Sequence, residues 1–100
     1  MRVRVRYSGR VQGVGFRATA RSLSRGFAVS GWVQNELVGT VLLEVQGEPA
    51  AVQGYLDALR EELGSNIKGE DRSTLADDPA QPPHPASGSP NIASGIVIRH

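Results

Sequence analysis

Strict alternation opens the chain. Val3, Val5 and Tyr7 face one way and Arg2, Arg4 and Arg6 the other, which is the period of a strand with one buried and one solvated face. Phe16, Ala20, Leu23 and Phe27 then recur at helical spacing. Arg25-Gly26 supplies a basic last turn and a glycine beyond it, so the spacing predicts a helix over about residues 16–25. Residues 29–35 and 40–46 read as two strands joined by a short turn at Glu36-Leu37-Val38-Gly39, with Val41, Leu43 and Val45 forming the inner face of the second. Pro49 opens a second helix, where its missing N–H costs nothing. Val52, Leu56, Leu59 and Leu63 make one apolar stripe along it, and Gly64 ends it.

From Ser65 the pattern dissolves. Residues 66–75 allow a weak strand but lack alternation and are heavily charged. Residues 79–90 hold five prolines among Ala, Ser, Gly and Gln and read as an exposed irregular loop. Ile96-Val97-Ile98-Arg99 returns as a final strand. The order is β-α-β-β-α-β, with a short extra strand allowed before the last one. A hairpin between two strand–helix units predicts an α+β two-layer sandwich, an antiparallel sheet with both helices on one face. One hundred residues fit a single domain, 1–100, irregular over 66–94.

Composition narrows the class. No apolar run approaches the length of about 18 residues that marks a membrane span. The alternating N-terminus does not read as a secretory signal. The chain has no cysteine, which removes disulfides, thiolate nucleophiles and cysteine metal sites. A cytoplasmic monomer with no membrane partner is the expectation. Net charge is only +1, yet residues 1–35 contain seven arginines and no acid, while all ten acids lie from Glu36 onward. A positive half of this kind steers anions.

Candidate chemistry centres on Gly9-Arg10-Val11-Gln12-Gly13-Val14-Gly15-Phe16-Arg17, between the first strand and the first helix. Three glycines let the backbone curl through positive φ, and a curled backbone turns successive N–H groups into a concavity for an oxyanion. The following helix adds its free N–H groups and dipole, and Arg17 adds a planar fork of donors that matches phosphate. The stretch thus reads as a phosphate-binding loop. The alternatives are a bland glycine-rich turn and a dinucleotide fingerprint, since Gly13-Val14-Gly15-Phe16-Arg17-Ala18 fits G-x-G-x-x-A with Glu36 about 20 residues on. A hairpin directly after Asn35 excludes the second, because a dinucleotide fold needs another parallel crossover there.

Asn35 ends a strand just before the turn, where its amide either bonds its own backbone or projects past the sheet edge to orient a water. Neither histidine, His84 or His100, lies near these stretches. No acidic cluster has metal-ligand spacing and no serine sits in a nucleophile elbow, so no metal and no cofactor is expected. Positioning and electrostatics alone suffice for an already activated bond, such as a carboxylic–phosphoric anhydride with its weakly basic leaving group.

The glycine-rich stretch, taken with Gly31-Trp32-Val33-Gln34-Asn35-Glu36-Leu37-Val38-Gly39-Thr40-Val41, closely resembles the two signatures of the acylphosphatases, and Ile98-Arg99 resembles that family's ending. The resemblance implies a ferredoxin-like βαββαβ sandwich and metal-independent hydrolysis of a small-molecule acyl phosphate to carboxylate and inorganic phosphate. Arg17 matches the family's phosphate-binding arginine, the amides of 12–17 its cradle, and Asn35 the asparagine that positions the attacking water. Two departures stand out: residues 66–94 lack the family's apolar pattern, and His100 takes the place of its usual terminal tyrosine. A non-catalytic phosphate or acyl-phosphate binding module is the alternative. RNA binding is disfavoured, and no nucleic-acid partner expected, because the strand that would stack bases has no aromatic and carries Glu44.

Overall fold

The computed structural model describes residues 1–76 and 95–99. Its elements are β1 (Arg2–Gly9), α1 (Phe16–Ser24), β2 (Val29–Asn35), β3 (Val41–Gly47), α2 (Pro49–Leu63), a single 3-10 turn (Gly64–Asn66), β4 (Ile67–Leu75) and β5 (Gly95–Arg99). The alternation of β1 sets the layer boundary. Val3, Val5 and Tyr7 lie opposite Val45, Leu43 and Val41 of β3, and all six are buried. Against this floor α2 lays Val52, Leu56, Leu59 and Leu63, as its spacing predicts, and adds Tyr55. Burying each such aliphatic side chain contributes about 1.5–3 kcal/mol, so the two-layer packing follows from the pattern.

The five strands pair in the order β4-β1-β3-β2-β5. The result is an α+β sandwich, as expected, with three corrections. The sheet is mixed rather than antiparallel, because β5 runs parallel to β2. Alternation assigns a strand's faces but carries no sign of its direction. The extra strand is not short: β4 has nine residues, paired antiparallel to β1 along its length, so irregularity does not begin at residue 66. It escapes a pattern search because it is an edge strand. One long side meets water, and where its side chains turn toward α2 they find polar partners: Glu70 takes two bonds from Arg60, at 2.8 and 3.0 Å, and Arg72 donates to Gln53 at 3.1 Å. A charged edge also discourages strand addition by other chains. The proline loop expected over 79–90 lies outside the described residues.

The third correction concerns α1, which is what positions the site. Its inward residues are Phe16, Ala20 and Ser24, while Leu23 and Phe27 are only half-buried. Ser24 is a latch. Its Oγ donates to the Arg21 carbonyl at 2.6 Å and accepts from the Ile96 N–H at 2.9 Å, which ties β5 to the end of α1. Gly95 lies against it at φ +99°, and a Cβ there would stand 2.9 Å from the Ser24 Oγ. On the other flank the Tyr55 hydroxyl donates to the Ala20 carbonyl at 2.8 Å, pinning α1 to α2. Burial pushes the Tyr55 ionisation well above the usual tyrosine value, so it stays a donor. Ser24→Ala leaves the buried Ile96 N–H without its acceptor and should cost about 1–3 kcal/mol in denaturant unfolding. Hydrogen exchange should show the loss concentrated in β5; uniform loss, or none, would contradict the latch.

Candidate functional site

The loop between β1 and α1 is anchored at both ends by the core. Val11 and Phe16 are buried, and the Phe16 ring packs on Tyr7 with centroids 5.0 Å apart. Between these anchors Gly13 and Gly15 take φ +76° and +79°. A Cβ at either would meet nothing within 4 Å, so glycine is required there by backbone conformation and not by space. Gly15 is also the N-cap of α1. No side chain caps the helix and no acid lies in its first turn. The first helical bond runs from Thr19 N to the Gly15 carbonyl at 2.9 Å, so the N–H groups before Thr19 precede the ladder. Gly13, Gly15, Phe16 and Arg17 form one wall of a cleft of about 670 Å³.

Asn35, the last residue of β2, lines the same cleft. Among the described residues its carboxamide makes no hydrogen bond, so it is not the self-bonded turn asparagine. The turn behind it is fixed by a network around Glu36. Arg6 donates two bonds to the Glu36 carboxylate, at 2.7 and 3.0 Å, and the Thr40 hydroxyl donates a third at 2.7 Å. Gln12 joins this turn to the glycine-rich loop, its Nε2 donating to the carbonyls of Glu36 at 2.7 Å and Thr40 at 2.9 Å. The two halves of the site are therefore held in register by one side chain.

The bonds from Arg6 and Thr40 hold the Glu36 carboxyl below the usual glutamate range. A lowered carboxyl supports the fold above its unfolded-state value and loses that support as pH falls through the folded one. The turn should therefore stay fixed through neutral pH, with amide signals of residues 36–40 flat from pH 8 to 5. Glu36→Gln weakens both charge-assisted bonds and should move those signals at every pH while lowering turnover several-fold; a variant with unmoved signals would show that the network is not what holds the turn.

Three of the seven arginines of the basic half are engaged on the face of the sheet away from the helices. Arg2 pairs with Glu44, Arg4 lies 3.5 Å from the same carboxylate, and Arg6 is held by Glu36. Arg99 stacks its guanidinium over Trp32 at 4.4 Å. Arg21 of α1 and Arg25, its C-cap, form no ion pair among the described residues and lie along the cleft. Among those residues no group of His, Asp or Glu side chains converges as metal ligands would, and no helix is long and apolar enough to cross a membrane. His84 and His100 lie outside the described residues.

Of the residues singled out from sequence, Gly13, Gly15, Phe16, Arg17 and Asn35 meet on one cleft. Gln12 and Val14 are not on its wall: Gln12 clamps the turn, and Val14 is half-buried against the core. Sequence reasoning missed the latch of Ser24 and the anchoring of Glu36 and Thr40. A signal for Ser24 was present, since Phe16, Ala20 and Ser24 recur every four residues.

The acylphosphatase family model matches residues 3–80. The acylphosphatase of Salinibacter ruber is 47% identical over 60 residues, 60% of this chain and 63% of that protein, so the match spans less than two thirds of that relative's length. The acylphosphatase of Rhizobium etli is 43% identical over 68 residues, 67% of this chain and 72% of that one. The crystal structure of acylphosphatase from Bacillus subtilis superposes with a TM-score of 0.75 at 20% identity, covering 99% of this chain and 98% of that one. The Coxiella burnetii acylphosphatase gives 0.65 at 24%, covering 98% and 90%. The structural likenesses speak for the ferredoxin-like fold and the sequence matches for descent, and both agree with the two signatures that meet at the cleft: the chain belongs to the acylphosphatase family.

Proposed function

We propose that this protein hydrolyses small-molecule acyl phosphates to a carboxylate and inorganic phosphate, without a metal. The observation that carries the reading is the convergence of Arg17, an uncapped helix N-terminus and an unengaged Asn35 carboxamide on one cleft. In this reading the amides of residues 12–17 and the Arg17 fork hold the phosphoryl oxygens, and Asn35 accepts a hydrogen bond from the attacking water. The water oxygen forms a bond to phosphorus while the bond to the acyl oxygen breaks. The carboxylate leaves with that electron pair, and the water's proton passes to a phosphoryl oxygen of the substrate.

Little covalent work falls to the protein in such a step. Phosphoryl transfer passes through a loose transition state, so catalysis is positioning and charge stabilisation. A carboxylate leaving group needs no general acid, which fits a site whose described residues offer none. Titration with inorganic phosphate should shift the amide signals of residues 12–18 and of Asn35 and leave those of β4 in place. Shifts centred elsewhere would remove the cradle assignment. The protein is expected to act as a monomer in the cytoplasm without nucleic acid, since the arginines of β1 that would face a strand are paired to Glu36 and Glu44.

A further inference from the structure

The cleft does not end at the cradle. It continues along α1 past Arg21 and Arg25, with Ile96, Val97 and Ile98 of β5 forming its opposite wall. Arg17 and Arg21 of α1 and Arg25, its C-cap in helical conformation, follow each other at intervals of four residues along one side, ~6 Å apart along the axis. One wall is thus a ladder of cations and the other is apolar. The Ser24 latch keeps the two walls together by tying the Ile96 N–H to the helix. Residues 1–35 contain no acid, and neither Arg21 nor Arg25 is in an ion pair among the described residues, whereas Arg2, Arg4 and Arg6 of the same basic half are.

A phosphoryl group alone occupies only the Arg17 end. From this geometry we infer that the α1–β5 groove is an acyl-group subsite, in which Arg21 and Arg25 bind a second anionic group carried at the far end of the acyl chain. The inference rests on the phosphate reading of the cradle. The favoured substrates are acyl phosphates of dicarboxylic acids, or of acids bearing a distal phosphate. Their methylene segment lies along the β5 wall of the groove, and their far anion meets a guanidinium by paired charge-assisted bonds. Because the arginines stand in steps, preference should depend on chain length, which a diffuse positive field would not produce.

The test compares acetyl phosphate with the monophosphates of malonic, succinic, glutaric and adipic acid. In parallel, binding of methylphosphonate is compared with that of carboxyalkylphosphonates of the same lengths, which needs no turnover. The wild-type protein should favour one chain length over the unsubstituted compound by about tenfold or more in both assays. Arg21→Gln/Arg25→Gln should abolish that preference, and Arg10→Gln, which removes a charge outside the groove, should keep it. Turnover of acetyl phosphate with no length optimum, or an optimum that survives the double variant, would overturn the subsite and leave the phosphatase reading intact. Failure to bind methylphosphonate and to turn over any acyl phosphate would overturn both.

Discussion

Arg17→Ala should lower kcat/KM for benzoyl phosphate by about 10³–10⁵-fold, the range found when an arginine that meets a transferring phosphoryl group is removed. Arg17 stands in the first turn of α1, with its side chain on the cleft wall beside Gly13 and Gly15. In the proposed function its guanidinium and the N–H groups of the curled loop address the same phosphoryl oxygens, so that charge building there would meet donors already in place. Arg17→Lys keeps the charge but loses the planar fork, and should recover only a small part of the rate. Helix content should be unchanged in both variants, because Phe16 and Ala20, not Arg17, bury the helix. The readout is steady-state hydrolysis beside phosphate inhibition. A rate within a few-fold of wild type in Arg17→Ala would remove the residue from the reaction.

Asn35→Ala should behave differently. If the carboxamide orients the water, its interaction is gained only as that water attacks, so kcat should fall by about 10²–10³-fold with KM within a few-fold of wild type. Arg17→Ala, by contrast, should affect both parameters. Asn35→Asp tests the geometry further: it keeps the shape and an acceptor oxygen but places an anion beside the phosphoryl group, and should raise KM as well as lower kcat. A variant that raises KM alone would make Asn35 a binding residue.

How much of this was legible in the residues depends on which property each element used. Periodicity carried β1, β2 and α2 well, because each buries one face and repeats it: Val3-Val5-Tyr7 and Val52-Leu56-Leu59-Leu63 are as plain in the sequence as in the fold; β3 is buried on both faces, and Val41, Leu43 and Val45 marked its inner one. The end of the cleft at Gly13, Gly15, Arg17 and Asn35 was legible because its parts lie in two short stretches that a single hairpin and helix bring together. Four things were not. β4 hides its strand character, since an edge strand can face water with charges, and Arg60 and Gln53 supply polar partners where α2 approaches. The direction of β5 hides because alternation is the same read either way. The role of Ser24 hides because spacing places it on the inward face of α1 but carries no sign of its two hydrogen-bond partners. Glu36 was read as a turn residue, within a family signature and for a nucleotide motif that the hairpin excludes, whereas its work is with Arg6 and Thr40.

These misses share a cause. Pattern reading weighs apolar burial, and, the direction of β5 apart, each missed feature is polar and satisfied by a partner distant in sequence: Arg6 with Glu36, Ser24 with Ile96, Arg60 with Glu70. Such partners decide where the site's walls stand. Their effect on activity should therefore appear in kcat through misplacement, even where the side chain never touches the substrate.

The measurement that bears most directly on the central claim is hydrolysis of benzoyl phosphate by the purified protein in the presence of a chelator. The expected result is turnover that the chelator does not reduce, that inorganic phosphate inhibits competitively, and that Arg17→Ala loses. A folded protein that binds phosphate but releases no benzoate would contradict the account and leave the cleft as a site of binding alone.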